Sequence, residues 1–326
     1  MRSILKYILS GCALALSLSS CLTEKQEICD SYIKFVYDYT LDGADLFSYQ
    51  VSNVDLFLFD EAGIFLTRLS ATAPGGTFPS GYRMQLPLGL ERAKQVIAWA
   101  GLSNQITLGS LQEGVSTVAE LTAKIADAYG QEVDQKLHPL WYGELLSSRG
   151  KGVNIEYLDE EHTVSLMKLS KTFRIVIKIT DKDLPVENEI LDFKITSRNG
   201  SYSHLAEPNS TSIYTYEPYL IEREIRPGCT AVEISTLRLM ASAYTGSQLT
   251  ISNNDASIVE DLNDALDMLM LSEYAAKTWS FQEYLDRKDK YEFVILVHRG
   301  VSDLFFSGFL TVNEWLVREN EFNQIP

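Results

Sequence analysis

Apolar and polar residues alternate with a period of two along much of the chain. In Tyr32–Tyr39 the side chains of Ile33, Phe35 and Tyr37 fall on one face, and Phe173–Thr180 alternates in the same way. Successive side chains of a strand point to opposite faces of a sheet, so this pattern predicts half-buried β-strands. Leu191–Thr196 repeats this pattern, and Val54–Asp60 is apolar on both faces. Further strands are predicted at Ile64–Leu69, Arg83–Leu88, Lys94–Ala100, Ala231–Met240, Gln248–Ser252, Tyr291–His298, Leu304–Val312 and Trp315–Arg318.

Helical signals interrupt this strand pattern in three places. Thr117 and Glu120 have the spacing of a capping box, and the apolar residues that follow predict a helix ending before Gly130. Helical periodicity is also present over residues 255–270 and 280–287. Each run of strands therefore contains a short helical interruption.

Two runs of strands predict a mainly β fold with two tandem β-sandwich domains and short helical insertions. A shift in composition over residues 150–165 places the boundary between an N-terminal domain of residues 32–160 and a C-terminal domain of residues 161–326. Within these domains, His138–Gly143 is predicted to be an irregular crossover between sheets. Residues 197–218, rich in Ser, Asn, Tyr and Pro, are predicted to form a long surface excursion.

The first 20 residues have the features of a secretion signal. Two basic residues, Arg2 and Lys6, precede a twelve-residue apolar run that is too short to span a membrane. The run ends in Leu18-Ser-Ser-Cys21, which resembles the lipobox of bacterial lipoprotein signals. The resemblance implies cleavage between Ser20 and Cys21 and acylation of Cys21. The alternative is a plain secretory signal with an incidental cysteine.

Lipidation would determine where the mature protein resides. A single acyl chain binds membranes only marginally, at about 0.8 kcal/mol for each buried CH₂ group, whereas two or three chains anchor stably. By resemblance to lipoprotein sorting rules, Leu22 favours the outer membrane. Residues 21–31 are then a lipidated tether leading to the first strand.

The acidity of the chain narrows its partners. The formal net charge is −16, and loss of the two basic residues in the signal makes the mature chain more acidic still. Such a chain repels phosphate backbones, so nucleic acid is not an expected partner. An anionic membrane would repel it as well, so attachment must come from the lipid.

Four cysteines are too few for a disulfide-rich scaffold. Cys12 leaves with the signal and Cys21 carries lipid, which leaves Cys29 and Cys229. These two either form a disulfide in an oxidising compartment or remain unpaired thiols. No CxxC motif is present, so neither a zinc ribbon nor a thioredoxin-type redox site is supported.

Catalytic signatures are missing from the sequence. It contains no HExxH, GxSxG, Walker A or GxGxxG motif. The histidines lack the spacing of metal ligands; they stand at positions 138, 162, 204 and 298. No catalytic residue, metal site or cofactor is therefore predicted.

Three weaker patterns have structural explanations. Ser165 and Lys168 match SxxK, but the motif lies in a predicted strand and no KTG or SDN follows, which favours chance. The acidic run Asp159–Glu161 is more typical of a solvated loop than of a glycosidase pair. The tryptophans, at positions 99, 141, 279 and 315, are expected to pack in cores.

Several segments, in order, resemble the FimB-type fimbrial anchor lipoproteins, the anchor subunits of type V pili. After the lipobox cysteine these segments are Ile33–Tyr39, Asp45–Phe47, Val54–Gly63, Leu140–Gly143, Ser280–Tyr291 and Thr311–Trp315. The resemblance implies two transthyretin-like β-sandwiches without catalytic activity. It also implies attachment of a fimbrial shaft or accessory subunit to the outer membrane, at the fimbrium base, and control of fimbrial length.

Strand complementation would explain such assembly without catalysis, because a partner strand can complete an open sheet edge. Related shaft pilins are cut after a basic residue beyond the first strand. Here the first arginine after Cys21 is Arg68, past two predicted strands, although Lys25 and Lys34 leave lysine-specific trimming open. The anchor interpretation is therefore favoured over a shaft subunit or tip adhesin. The alternatives from other classes are an extracellular glycan-binding lipoprotein and an enzyme without a recognised motif.

Overall fold

The computed structural model describes residues 31–87, 89–90, 93–146, 161–179, 191–226, 229–242, 245–252, 257–273, 278–299, 304–305, 308–312 and 315–320. These residues are mainly β-structure with short helices, so the predicted fold class is confirmed.

The strands of the first half are β1 (Tyr32–Val36), β2 (Asn53–Phe59), β3 (Phe65–Thr72), β4 (Arg83–Gln85), β5 (Gln95–Ala100), β6 (Ile106–Leu108), β7 (Ala123–Ile125), β8 (Glu132–Val133), β9 (Trp141–Leu146) and β10 (Glu161–Lys168). Those of the second half are β11 (Lys171–Ile179), β12 (Asp192–Ser197), β13 (Ser201–Tyr202), β14 (Tyr214–Tyr216), β15 (Pro218–Arg226), β16 (Cys229–Thr236), β17 (Gln248–Ser252), β18 (Ser257–Asp261), β19 (Lys290–Arg299), β20 (Leu304–Phe305), β21 (Gly308–Val312) and β22 (Trp315–Asn320). The helices are α1 (Phe47–Gln50), α2 (Leu262–Ser272) and α3 (Phe281–Arg287).

The first sheet contains seven strands in the order β3-β2-β5-β9-β10-β1-β4. Strands β1 and β10 run parallel, and the other neighbouring pairs are antiparallel. Strands β2 and β3 form a hairpin, and Gly63 at its turn has a φ of +74°, which suits glycine.

Both faces of the sheet are buried at β2 and β5, which explains why β2 is apolar without alternation. Val54, Leu56 and Leu58 join a core that also contains the side chains of β1. Phe57 and Phe59 face the other way, into a larger core shared with the second half of the chain.

Three further sheets complete the fold. One has the order β15-β16-β11-β19-β21-β22, with β20 also paired to β19. A five-stranded sheet has the order β18-β17-β12-β14-β8, and a three-stranded sheet has the order β13-β7-β6. In the last two, strands from the first half of the chain pair with strands from the second half, so the halves interlock.

The expected division at residues 160/161 assigns β10 to the C-terminal domain. In the structure β10 pairs with β9 and β1 of the first sheet, while β11 begins the next sheet only two residues later. We propose that the division between the domains falls at residues 169–170. The composition shift that suggested the earlier boundary marks a connection between two strands of one sheet.

The long helix predicted after Thr117 is wrong. The capping box with Glu120 forms, but it caps a single 3₁₀ turn over Val118–Glu120. The chain then extends into β7, and Leu121, Ala123 and Ile125 are buried at alternate positions before and within this strand. These apolar residues satisfied both periods, and the strand was selected by tertiary packing.

The crossover predicted at His138–Gly143 is also wrong, because it ends in β9, a strand inside the first sheet. Gly143 permits this close packing. A Cβ added there would lie 2.6 Å from the Val164 side chain and 2.7 Å from the Ser165 carbonyl oxygen. This strand was not predicted because glycine and bulky aromatic residues in this segment do not alternate between apolar and polar.

Residues 197–218 are not a surface excursion. Asn199, Tyr202 and Tyr216 are fully buried, and the Tyr216 hydroxyl donates to Asn199 Oδ1 at 2.7 Å. The Asn199 amide donates in turn to the carbonyl oxygens of Leu237 and Arg238. A polar composition here supplies a buried hydrogen-bond network rather than a solvated loop.

The helical segment predicted over residues 255–270 begins later than expected. Strand β18 precedes it, and Asp261 caps helix α2 by accepting from Asn263 N at 2.8 Å. The second helix is confirmed as α3, with Ser280 and Glu283 forming its capping box.

Candidate assembly site

Strand β1 lies inside the first sheet, bonded on both sides. It pairs in parallel with β10 over five residues and antiparallel with β4 over three. Its alternate side chains, Ile33 and Phe35, are at most 2% exposed, and Tyr37 just beyond is equally buried. The strand that directly follows the tether is therefore an integral part of the sheet.

An aromatic cluster holds β1 in place. The Phe35 ring stacks on Phe47 of α1 at a centroid distance of 5.7 Å and on Tyr82 at 6.3 Å. Phe47 stacks in turn on Phe78 at 5.4 Å. Burying a side chain of this size contributes about 1.5–3 kcal/mol, so these contacts are a large share of what fixes β1.

Polar contacts fix both ends of β1. Arg83 lies over the Tyr32 ring at 4.6 Å and pairs with Glu161 at 3.1 Å, although this pair is exposed and contributes little. At the other end, Asp45 Oδ1 accepts from Tyr37 N at 2.9 Å, and the Ser165 hydroxyl donates to Asp38 at 2.5 Å.

A cationic clamp connects the segment after β1 to the second half of the chain. The Arg287 guanidinium at the end of α3 lies 4.0 Å from the Tyr39 ring centroid and 3.9 Å from that of Trp279. It also donates to the Thr40 carbonyl oxygen at 3.1 Å. The Lys168–Asp289 ion pair, at 2.7 Å, adds a second connection from β10.

A buried lysine lies beside this clamp. The Lys171 ammonium is 1% exposed and donates to the carbonyl oxygens of Asp286 and Lys288 at 3.0 and 2.8 Å. Burial is the main cause that lowers the pKa of Lys171 to about 7. Arg238 forms a bidentate pair with Asp286, both bonds being 2.7 Å long. The junction between the halves is therefore both polar and buried.

Two long edge strands contrast with β1. Strand β15 ends its sheet and exposes Leu220, Ile221 and Ile225, each at least 40% exposed, but its pairing is interrupted by bulges. Strand β3 ends the first sheet and is regular from Thr67 to Thr72. Beside the first half of β3 lies a cleft of about 770 Å³.

The predicted lipidation and cleavage residues, Cys21 and Ser20, lie outside the described residues, as does Cys29. Cys229 is buried at the start of β16 and carries no disulfide within the described part of the chain. The Cys29–Cys229 disulfide therefore stays a prediction.

The residues of the SxxK match and two of the tryptophans have structural roles. Ser165 and Lys168 lie on strand β10, so the SxxK motif does not form a helix start. Ser165 bonds to Asp38, and Lys168 bonds to Asp289. Trp99 and Trp141 are buried in the cores. Within the described ranges no three His, Cys, Asp or Glu side chains are placed to hold a metal ion.

The residues that tie β1 to its surroundings were not identified from the sequence. In the sequence Arg287 is one residue of a predicted helix, and Lys171 lies in no motif. A basic residue at the end of a capped helix is an ordinary solvated position, so its clamp becomes visible only in the fold.

Comparisons with known proteins converge on fimbrial proteins. The sequence model for fimbrillin-A associated anchor proteins Mfa1 and Mfa2 matches residues 26–321. A solved Bacteroides thetaiotaomicron protein, described as a candidate polysaccharide-binding protein, is 26% identical with a TM-score of 0.74, covering 91% of this chain and 100% of its own. No curated protein matches the chain.

Two more solved structures share the fold. A candidate adhesin from Bacteroides ovatus is 21% identical with a TM-score of 0.75, covering 93% of this chain and 98% of its own. The fimbrial anchor protein Mfa2 from Porphyromonas gingivalis is 14% identical with a TM-score of 0.68, covering 89% of this chain and 99% of its own. None of the described helices has the length and apolarity to cross a membrane.

Proposed function

The chain belongs to the family of fimbrillin-A associated anchor proteins, and we propose that it is an outer-membrane lipoprotein that anchors a fimbrial shaft and limits its length. A fimbria-associated, structural role follows from the family. Acylated Cys21 would hold the chain in the membrane, and residues 22–31 would lead to β1. Fimbrial shaft or accessory subunits would be the partners on the outer side.

The position of β1 is the observation that carries this proposal. The strand nearest the lipid fills its own place between β10 and β4, and its alternate side chains are buried. A subunit that keeps this strand does not offer that place to a strand donated by another subunit. It would therefore end a polymer rather than extend it in that direction.

Basic residues near β1 also favour an anchor over a shaft subunit. Arg68 lies within β3 and pairs with Phe57 of β2, so cleavage there would destroy a hairpin. Lys34 lies inside β1 itself, opposite Thr163 and Arg83. Cleavage after either residue would damage the sheet rather than release a whole strand. The C-terminal strands β21 and β22 are likewise paired within their own sheet.

The lipid is tested by Cys21→Ser, with Cys12→Ser as the matched control because Cys12 lies in the predicted signal. Cells producing each variant would be labelled with a radioactive fatty acid and their membranes fractionated. We expect Cys21→Ser to lose both the label and its place in the outer membrane, and Cys12→Ser to keep both. Retention of label and membrane by Cys21→Ser would contradict the proposal.

Glycan binding is the second candidate function. It is supported by the relative described as a candidate polysaccharide-binding protein and by the cleft beside β3. A glycan array probed with the purified chain tests it directly. Saturable binding to one glycan class would support it, and an empty array would remove it.

A further inference from the structure

The outer edge of β3 has main-chain groups available for pairing. The bond from Ala73 N to Ser52 O shows that every second residue from Ala73 backwards turns its main chain towards β2. Arg68, Ser70 and Thr72 therefore turn their N–H and C=O groups away from the sheet. No backbone partner for these groups is present among the described residues.

Strand β6 has a second open edge. It ends the three-stranded sheet, and its main-chain bonds to β7 include that from Gly109 N to Thr122 O. Thr107 is in phase with Gly109, so Leu108 turns its N–H and C=O groups away from β7. In the described part of the chain these two groups also lack a backbone partner.

Both edges line the same cleft. Its walls are formed by Phe65 and Arg68 of β3 on one side and by Ile106–Leu108 of β6 on the other. The remaining lining is mixed: Phe57, Leu102 and Leu111 are apolar, whereas Ser103, Asn104, Ser110 and Glu113 are polar. We call this the β3–β6 cleft. Val115, which is 62% exposed, lies between Gly114 and Ser116, which both bond to the main chain of Phe65 at the start of β3.

We propose that the β3–β6 cleft binds an extended strand of a fimbrial subunit, which adds to the edge of β3 and places apolar side chains in the cleft. This inference rests on the proposed anchor function and names its contact surface. The added strand would satisfy the free groups of Arg68 and Ser70 on one side and approach Leu108 on the other.

Charge further specifies the occupant. The Arg68 guanidinium is already paired with Asp55, whose side chain is 8% exposed, at 2.9 Å. Glu113, at the mouth of the cleft, accepts from the Thr67 hydroxyl at 2.6 Å and is exposed without an ion-pair partner among the described residues. A strand carrying a basic residue where it passes Glu113 would complement this charge.

A polypeptide strand fits the β3–β6 cleft better than a sugar does. Sugar sites commonly offer an aromatic face for stacking, and the two aromatic lining residues, Phe57 and Phe65, are only 3% and 4% exposed. Free main-chain donors and acceptors on two strands, beside apolar side chains such as Leu102 and Leu111, are instead the features of strand addition. Strand β15 is less suited to it, because bulges interrupt its edge.

Binding is tested with the full lipidated chain in detergent and fimbriae isolated from cells that lack it. Ser70→Pro removes the outward N–H of Ser70, which β2 does not use, and Ser70→Ala is the matched control that keeps it. We expect Ser70→Pro to weaken binding about tenfold or more and Ser70→Ala to bind like the unaltered chain. Equal binding by all three chains would overturn the proposal.

A second pair of variants keeps the test independent of folding at residue 70. Glu113→Lys reverses an exposed charge at the mouth, and Glu113→Gln only neutralises it. We expect the lysine variant to bind more weakly than the glutamine variant, with the difference shrinking in high salt. Identical affinities at every salt concentration would count against a strand in this cleft.

Photo-crosslinking locates the partner on the chain. A photoreactive residue replaces exposed Thr107 at the cleft or, as a control, Ile221 on β15. We expect Thr107 alone to crosslink to a fimbrial subunit identified by mass spectrometry. Crosslinking from Ile221 alone would overturn the proposal, as would crosslinking to a second copy of this chain. Glycan binding that the cleft variants abolish would also overturn it.

These results separate the two proposals. If wild-type chain fails to bind fimbriae through the cleft while its deletion still releases fimbriae from cells, the cleft is not the contact and the anchor function stands. If the cleft binds fimbriae but deletion leaves them attached, the anchor function fails and the contact stands.

Discussion

Strands β1 and β3 belong to one sheet but differ in how their main chains are used. Strand β1 is bonded on both sides, whereas β3 is bonded fully only to β2. Side chains on β1 are buried in alternation, while those on β3 become alternately exposed after Phe65. The strand nearest the predicted lipid is thus held in the sheet on both sides, and the strand at the sheet edge keeps one side available to a partner.

The surroundings of the two strands reinforce this difference. The segment after β1 is clamped by Arg287, and its neighbour β10 is tied by Lys168 to Asp289. Polar contacts of β3, by contrast, are mostly local, such as those of Arg68 and Ser70 to Asp55. Force arriving through the tether would meet β1 first, where the contacts reach both halves of the chain.

The largest effect is expected at the centre of β1. Phe35→Ala removes a 2%-exposed ring stacked on Phe47 and Tyr82, and we expect a loss of about 3–5 kcal/mol in unfolding free energy. Leu69→Ala on half-buried β3 is the matched control and should cost clearly less. Urea denaturation measures both. Equal losses would remove the contrast between the strands.

The clamp should contribute the next largest effect. Arg287→Ala deletes two close ring contacts and a hydrogen bond to Thr40, for an expected loss of about 1–3 kcal/mol. Arg287→Lys keeps the charge but not the planar stacking, so it should recover only part of that loss. If Arg287→Ala leaves the unfolding free energy unchanged, the contacts of Arg287 do not stabilise the fold.

Lys171 makes the junction near β1 sensitive to pH. Its pKa falls from the usual 10.5 to about 7, so between these values the unfolded chain binds a proton that the folded chain does not. Stability contributed by this residue therefore rises with pH across that window, by at most about 1.4 kcal/mol per pH unit. Lys171→Met should flatten the rise between pH 7 and 9.5. Parallel stability curves for the two chains would contradict this.

The smallest effect on stability is expected at the open edge. Ser70→Pro removes an N–H that makes no bond within the sheet, although it also removes the hydroxyl contact to Asp55. We expect Ser70→Pro to lose less than about 1 kcal/mol more than Ser70→Ala, because the hydroxyl contact is lost in both variants. A loss rivalling that of Phe35→Ala would mean that the main chain of Ser70 is already paired.

The local pattern was enough to predict the strands that alternate. Strand β1 shows what alternation predicts and what it does not. Ile33, Phe35 and Tyr37 identified a half-buried strand, yet its parallel partner begins at Glu161, far along the chain. Register between distant segments depends on tertiary packing, which alternation in one segment does not encode.

The candidate site was harder to predict than the fold for the same reason. Gly143 became a strand residue because its missing side chain admits Val164, and Tyr216 became buried because Asn199 satisfies its hydroxyl. The edge of β3 is open because no second strand pairs with it among the described residues, and a single sequence carries no signal for the absence of a neighbouring strand.

The central claim, that this chain anchors fimbriae and limits their length, is tested most directly by deleting its gene and examining fimbriae by electron microscopy. We predict longer fimbriae released into the medium, restored to short cell-bound fimbriae by the wild-type chain but not held on cells by Cys21→Ser. Fimbriae that stay attached with unchanged length in the deleted cells would contradict the account.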